Sequence, residues 1–295
     1  MRVLVYGAGV LGSLFAARLH EAGQDVTLLA RGARLAALRE HGVRIAEGDR
    51  PEVRSLPIPL TDETELRAGG DYDLTIVFVR AHQVDAVLAT LAATTGDVLF
   101  ALNWAGGPEA LGAVIGDERV LLGFGITGGT MDGDVVRARP AGALTRRVPM
   151  PVGEPDGRST PRLERVVHTL RAAGIKAKPE PRMAAWLTTH AAFEVPLGQA
   201  VHAAGGPRAL AADPVAVRAM IRGIRQSLAA LPGPPQPRAF GALRILPEWL
   251  LVPALRAFLR SSVAVHSGLS DTSPSAAAEY EQLAGQLRAH TSTGK

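Results

Sequence analysis

"RVLVYGAGVLGSLFAARLHEAGQDVTLLAR", residues 2–31, decides the fold. It opens with a β-rich run, "RVLVY", and passes through "GAGVLG". An amphipathic helix pattern, "SLFAARLHEAG", follows and stops at Gly23, and "DVTLLAR" reads as a second strand. Strand, glycine turn, helix, strand is the first half of a doubly wound α/β sheet. Gly7, Gly9 and Gly12 stand at G-x-G-x-x-G spacing: the first permits a tight turn, the second lets backbone approach a pyrophosphate, and the third lets helix and strand pack closely. The diphosphate then meets the N–H groups and positive dipole end of the helix. The expected dinucleotide loop is therefore Gly7, Ala8, Gly9, Val10, Leu11 and Gly12. A glycine turn that holds no ligand has the same composition, but its place between a first strand and a helix favours the site.

The alternation continues outward. "LTIVFVR" (74–80) reads as a buried strand, "VDAVLATLAATTG" as a helix, "DVLFALN" (97–103) and "RVLLGFG" (119–125) as further strands. In "GGTMDGDVVRARPAG" the pair Asp132-Gly133 predicts a turn between antiparallel strands. "TPRLERVVHTLRAAG" predicts a helix capped by Thr160 and closed by Gly174, and "IKAKPEP" a last strand. From about residue 182 the patterns are helical, over roughly 182–203, 214–231, 237–260 and 274–290, with prolines between them, and the tail "HTSTGK" reads as loose. The expectation is a Rossmann-type domain over 1–181 and an all-helical substrate and dimerisation domain over 182–295.

Arg31 ends the second strand. An NAD enzyme usually carries Asp or Glu there for the ribose 2′-hydroxyl, whereas a guanidinium pairs with a 2′-phosphate. Arg31, with Gly32 leaving room and Arg34 assisting, favours NADP(H) over NAD; a solvated loop arginine is the plainer alternative in so arginine-rich a chain. Arg80, Gln83 and Asn103 fall at strand ends where such sheets deliver side chains to the ligand crevice, and are also expected at the cofactor.

Composition limits the alternatives. The net charge is +4 with an isoelectric point near 9.9, but 29 of the 32 basic residues are arginines scattered without aromatic neighbours. No nucleic-acid stripe emerges, and a small anionic substrate explains the excess equally well. No cysteine is present, so disulfides and thiolate chemistry are excluded. No H-E-x-x-H pattern or carboxylate cluster points to a metal. The first apolar run is broken by glycines and leads into Arg18, His20 and Glu21, unlike a signal peptide. The stretch "ILPEWLLVPALRAFL" (245–259) is too short and interrupted to span a membrane. It suits the helical core or an oligomer interface, so a homodimer is possible. A soluble cytoplasmic protein is expected.

These residues together resemble the ketopantoate reductases (2-dehydropantoate 2-reductases), NADPH enzymes that reduce a 2-oxo acid. "GAGVLG" is similar to the family's phosphate loop, and "LLAR" ends in the arginine that family uses for NADP. "FVRAHQV" (78–84) resembles its lysine–glutamine segment with Arg80 in place of the lysine and Gln83 kept, and "LNWAGG" (102–107) resembles its asparagine–glycine segment with Asn103 kept. The resemblance implies a helical second domain beginning near Trp186, with a catalytic lysine two residues on. That place is Thr188, the later asparagine places are Ala192 and Pro196, and no lysine occurs between Lys178 and Lys295. The family's later glutamate segment has only "SSVAVHSGLSD" (261–271) as a counterpart, offering Ser261, Ser262, His266 and Asp271.

"WLTTHAAFEVPLG" (186–198) offers a replacement donor. Trp186, His190 and Glu194 recur every four residues and share one helix face. Carbonyl reduction needs a proton source, and a histidine whose tautomer is fixed by a carboxylate can serve. His190, Glu194 and Thr188 are therefore the candidate catalytic residues, against the plainer reading of a packed helix histidine; His266 ranks below them and His168, on a solvent-facing helix, lower still. The reading is an NADPH-dependent reductase of a carbonyl or imine. A family member redirected to a non-redox reaction and a non-catalytic NADP(H) sensor stay open.

Overall fold

The computed structural model describes residues 1–139, 148–265 and 267–292. In chain order the strands are β1 (Arg2–Tyr6), β2 (Asp25–Leu29), β3 (Val43–Glu47), β4 (Val53–Leu56), β5 (Leu60–Thr61) and β6 (Leu74–Val77). They continue as β7 (Asp97–Ala101), β8 (Val120–Gly123), β9 (Gly129–Asp132), β10 (Val135–Ala138), β11 (Met150–Gly153) and β12 (Ala177–Pro179). The α-helices interleaved with them are α1 (Val10–Glu21), α2 (Gly32–His41), α3 (Glu63–Ala68), α4 (Val84–Ala92), α5 (Glu109–Ile115) and α6 (Pro161–Ala172). The remainder is helical: α7 (Met183–Ala204), α8 (Pro207–Ala212), α9 (Pro214–Ala229), α10 (Ala242–Ile245), α11 (Glu248–Arg260), α12 (Ser262–Val265) and α13 (Pro274–Ser292). Two compact units result, Met1–Leu102 with Pro108–Met183, and Asn103–Gly107 with Ala184–Lys295. Residues 103–107 group with the helical unit, where the Ala105 N–H donates to Gln286 at 2.9 Å.

The first unit is the expected α/β sheet. Eight strands run in the order β12-β11-β8-β7-β6-β1-β2-β5. β5, β2, β1, β6, β7 and β8 are mutually parallel; β11 is antiparallel to β8, and β12 parallel to β11. β6 and β8 are buried at every residue, because parallel strands covered on both faces need apolar side chains throughout. The chain builds β2 on one side of β1 and then returns to β6 on the other, so the strand order reverses beside β1. In such sheets the ligand crevice lies at that reversal, beyond the carboxyl ends of the strands.

A second sheet, β4-β3-β10-β9, belongs to the same unit, and of it the sequence reading anticipates only the β9–β10 pair. β10 pairs in parallel with β3, about ninety residues earlier, with Val136 opposite Ile45. The predicted Asp132-Gly133 turn is present: Asp132 pairs with Val135 and Gly133 takes φ +59°. The Pro140–Gly142 end of that stretch lies outside the described residues. The strand expected over 74–80 stops at Val77, although the Phe78 N–H still bonds Tyr6 O at 2.8 Å before the chain turns.

The second unit is helical. α7, α9 and α11 bury Leu197, Val201, Met220, Ile221, Ile224 and Leu259 in one core, each such side chain contributing about 1.5–3 kcal/mol relative to exposure. The single helix expected over 237–260 is divided. Pro247 has no N–H and holds Leu246 extended at ψ 137°, so α10 ends and α11 begins there. α11 presents Leu251, Val252 and Leu259 to the core, while Ile245 and Trp249 are 82% and 75% exposed. That explains an apolar density greater than one buried face requires. α13 remains helical through Ser292, further than the loose tail expected, and residues 293–295 lie outside the described ones. Among the described residues no helix is long and apolar enough to cross a membrane.

α7 and α13 touch where Gly198 meets Tyr280: a β-carbon at 198 would overlap the tyrosine ring. Gly198→Ala is expected to lower stability by about 1–3 kcal/mol through overpacking, read as a lower midpoint in urea unfolding with an unchanged m value.

Candidate functional site

The glycine loop has the geometry its spacing predicts. Gly7 takes φ +108°, a conformation that side chains rarely adopt. A β-carbon on Gly12 would overlap the Gly7 carbonyl oxygen, so α1 starts against the loop backbone itself. Gly9, by contrast, has nothing within 4 Å of a built β-carbon. It is exposed and serves as N-cap of α1, where no side chain caps the helix and no acidic residue stands in the first turn. An uncapped N-terminus behind an open glycine is a cradle for an anion, and a dinucleotide's pyrophosphate fits it. Ala8, Val10 and Leu11 complete the loop, Ala8 buried and the other two half-buried.

Arg34 has a different place from the one expected. Its Nε donates to Ala8 O at 3.1 Å, Nη1 to Asp134 O at 2.8 Å and Nη2 to Ser13 Oγ at 3.2 Å. It braces the loop from behind and does not stand beside Arg31. Burial lowers its pKa, with Asp134 opposing that shift. Arg31 is exposed at the end of β2, with Nη1 3.5 Å from Glu63 Oε1. The same Glu63 oxygen accepts the Tyr6 hydroxyl at 2.7 Å. Burial, and then that carboxylate, push the Tyr6 hydroxyl above its ordinary range, which keeps it a donor. Sequence reasoning missed Glu63 and Tyr6, since nothing local marks a carboxylate 32 residues beyond Arg31.

Arg80 and Gln83 lie half-buried after β6, where Gln83 Oε1 accepts the Arg80 backbone N–H at 3.1 Å and closes the turn. His82 between them has its pKa lowered, first by burial and then by Arg80. A cleft of this unit, about 930 Å³ and lined by Tyr72, Asp73, Asp97, Arg165 and His168, lies at the amino ends of β6 and β7. That is the end opposite to the one where such sheets bind ligands. His168 is exposed, as expected.

A second cluster lies within the helical unit. His190 Nδ1 is 3.2 Å from Asn103 Oδ1 and 3.0 Å from Glu194 Oε2. The imidazole stacks on Trp186, with ring centroids 5.1 Å apart and planes within 7°. The i, i+4 spacing on α7 therefore brings Trp186, His190 and Glu194 into one line. Asn103, expected at the cofactor, meets the imidazole. Glu194 Oε2 is close to Nδ1 but off its hydrogen-bonding axis, and it is buried with no hydrogen bond among the described residues. Thr188 Oγ1 donates back to Ala184 O at 3.0 Å, so its hydroxyl can accept from a substrate but not donate to one. Ala192 is fully buried in the core, and Pro196 packs near Gly223. Ser261 Oγ donates to Phe258 O at 2.6 Å and Asp271 accepts the Ser273 N–H at 2.8 Å, so both organise local turns. His266 lies outside the described residues.

Residues 3–145 match the family model described as ketopantoate reductase PanE/ApbA. A 2-dehydropantoate 2-reductase of Archaeoglobus fulgidus is 34% identical over 180 residues, which cover 60% of this chain and 55% of that protein. The chain thus aligns with about half the length of that relative, and with 40% of one from Lactococcus lactis. Among solved structures, 2-dehydropantoate 2-reductase from Geobacter metallireducens GS-15 is similar with a TM-score of 0.71 and 17% identity, over 100% of this chain and 94% of that one. D-mandelate dehydrogenase with NADH and anilino(oxo)acetate is similar with a TM-score of 0.70 and 15% identity, over 98% and 99%. At these identities the likeness to solved structures is one of fold.

The loop geometry separates two substitutions. Gly12→Ala is expected to destabilise the protein by about 1–3 kcal/mol or more, because backbone must shift. Gly9→Ala is expected to leave the melting temperature within a few degrees of wild type while weakening anion binding, since its β-carbon enters only the open cradle. Differential scanning fluorimetry with and without NADPH reads both.

Proposed function

We propose, on the premise that residues 3–145 belong to the ketopantoate reductase PanE/ApbA family, that this chain is an NADP(H)-dependent oxidoreductase. Its substrate is a small molecule with a reducible carbonyl of the 2-oxo acid type, or an imine. The observation that carries the reading is the His190 imidazole, tied to Asn103 and beside Glu194 on a mostly apolar helix. Gly7, Ala8, Gly9, Val10, Leu11 and Gly12 hold the diphosphate, Arg31 the 2′-phosphate, and Arg80 and Gln83 flank the same crevice. Bound there, the reduced nicotinamide supplies hydride to the substrate's unsaturated carbon.

The chain's own residues handle the proton. An Nδ1–H tautomer of His190 donates to Asn103 Oδ1, and Glu194 stabilises the ring when it carries two protons. Proton delivery to the substrate oxygen or nitrogen then falls to Nε2. Stacking on Trp186 fixes the plane of the ring. Thr188 accepts from a substrate hydroxyl. The Ile245–Trp249 surface is proposed as the contact between two copies of the chain, because an exposed indole beside further apolar side chains is the kind of patch that marks an interface. Trp249→Glu is then expected to convert a dimer to a monomer in light scattering.

Titration with NADPH and NADH by fluorescence, followed by NADPH oxidation against a panel of 2-oxo acids, other carbonyls and imines, tests the reading. The expected result is tighter binding of NADPH and turnover of at least one panel member. His190→Ala then lowers kcat by about 10²–10⁴-fold with NADPH affinity retained, and Glu194→Gln alters the pH profile of kcat. Binding without turnover across the panel would favour the redirected enzyme or the sensor. Ketopantoate itself is expected to be a poor substrate that Thr188→Lys improves; rapid turnover by wild type would overturn the argument from the missing lysine.

A further inference from the structure

Leu29 of β2 pairs with Thr61 of β5, so Arg31 and Glu63 occupy equivalent places, each two residues beyond the end of one of two neighbouring parallel strands. Their side chains meet there at 3.5 Å, with Arg31 57% and Glu63 27% exposed. The neighbouring acidic residues are committed elsewhere. Asp62 caps α3 by accepting the N–H groups of Thr64 and Glu65, and Glu65 reaches back to the Asp62 N–H and across to Arg39. Glu63 instead turns inward to Tyr6, the last residue of β1 and the one that precedes Gly7. Arg67 stands 4.0 Å from its other oxygen, with a guanidinium already donating to Thr90.

We infer that Glu63 is a specificity-determining residue for the dinucleotide, setting how strongly the site prefers a 2′-phosphate over a 2′-hydroxyl. The inference rests on the cofactor reading proposed above. A fixed carboxylate beside Arg31 repels a 2′-phosphate and competes with it for the guanidinium. The same carboxylate is suited to accept a ribose 2′-hydroxyl, the role an acidic residue near this strand end performs in NAD sites. Arg31 and Glu63 thus pull in opposite directions, and Tyr6 holds Glu63 in place through a hydroxyl that stays protonated. The consequence is a modest preference for NADPH with real affinity for NADH.

The test is fluorescence titration of the full chain with NADPH and NADH in wild type, Glu63→Gln and Tyr6→Phe, with melting temperatures recorded for each. In Glu63→Gln the ratio of the NADH to the NADPH dissociation constant is expected to rise roughly tenfold, through tighter NADPH and weaker NADH. Tyr6→Phe is expected to move the ratio in the same direction by a smaller factor, and it keeps the inference testable where Glu63→Gln does not fold. A ratio within twofold of wild type in folded Glu63→Gln, or weaker NADPH binding, overturns the role of Glu63 while leaving the cofactor reading intact. Wild type that binds neither nucleotide overturns the cofactor reading and this inference with it.

Discussion

Gly12 lies so close to the carbonyl of Gly7 that no side chain fits between them. That contact fixes where α1 begins relative to the end of β1. Gly7 N–H donates to Leu29 O at 3.3 Å and Phe78 N–H to Tyr6 O at 2.8 Å, so the same short segment also ties the ends of β2 and β6 together. The strand order reverses at this point. The open face of Gly9, the uncapped start of α1 and the end of β2 converge because one pair of glycines lets the backbone come that close.

Local signals made this part of the fold legible. The change of hydrophobic period across "RVLVYGAGVLGSLFAARL" is contained within twenty residues, and the glycine spacing states which atoms must approach. α7 was legible for the same reason, since Trp186, His190 and Glu194 announce a common face by spacing alone. What stayed hidden is non-local. β3 and β10 find each other across about ninety residues, with Arg44 donating to both Asp134 carboxylate oxygens at 2.9 and 3.0 Å. Neither strand is apolar enough by itself to announce a sheet. Asn103 meets His190 from 87 positions away. The break at Pro247 was visible in the sequence, but a dense apolar pattern outweighed it until the extended Leu246 showed where the helices part.

The arginines near the loop show why composition was a poor guide to their roles. Arg31 and Arg34 are three residues apart and similar on paper. Arg34 points inward, donates to two backbone carbonyls and a serine, and is desolvated. Its guanidinium lies half-buried behind the loop. Arg31 points outward and shares a carboxylate with Tyr6. One arginine braces the loop backbone and the other lies exposed at the end of β2; only the direction of the side chain separates them.

α7 presents the sharper physical question, because its polar groups are poorly placed for stability alone. Glu194 has a carboxylate oxygen buried and without a hydrogen bond among the described residues, an arrangement that costs about 1–3 kcal/mol or more for a charged group. An apolar residue of similar size would pack in the same helix without that penalty. Pro196, two residues on, removes one more backbone hydrogen bond from the middle of the same helix. An imidazole held between that carboxylate and an amide, and stacked on Trp186, gives the buried oxygen a neighbour of complementary polarity without a hydrogen bond to it. The placement of a buried carboxylate oxygen beside His190, and not beside a hydrogen-bond donor, is the physical observation behind the role proposed for this pair.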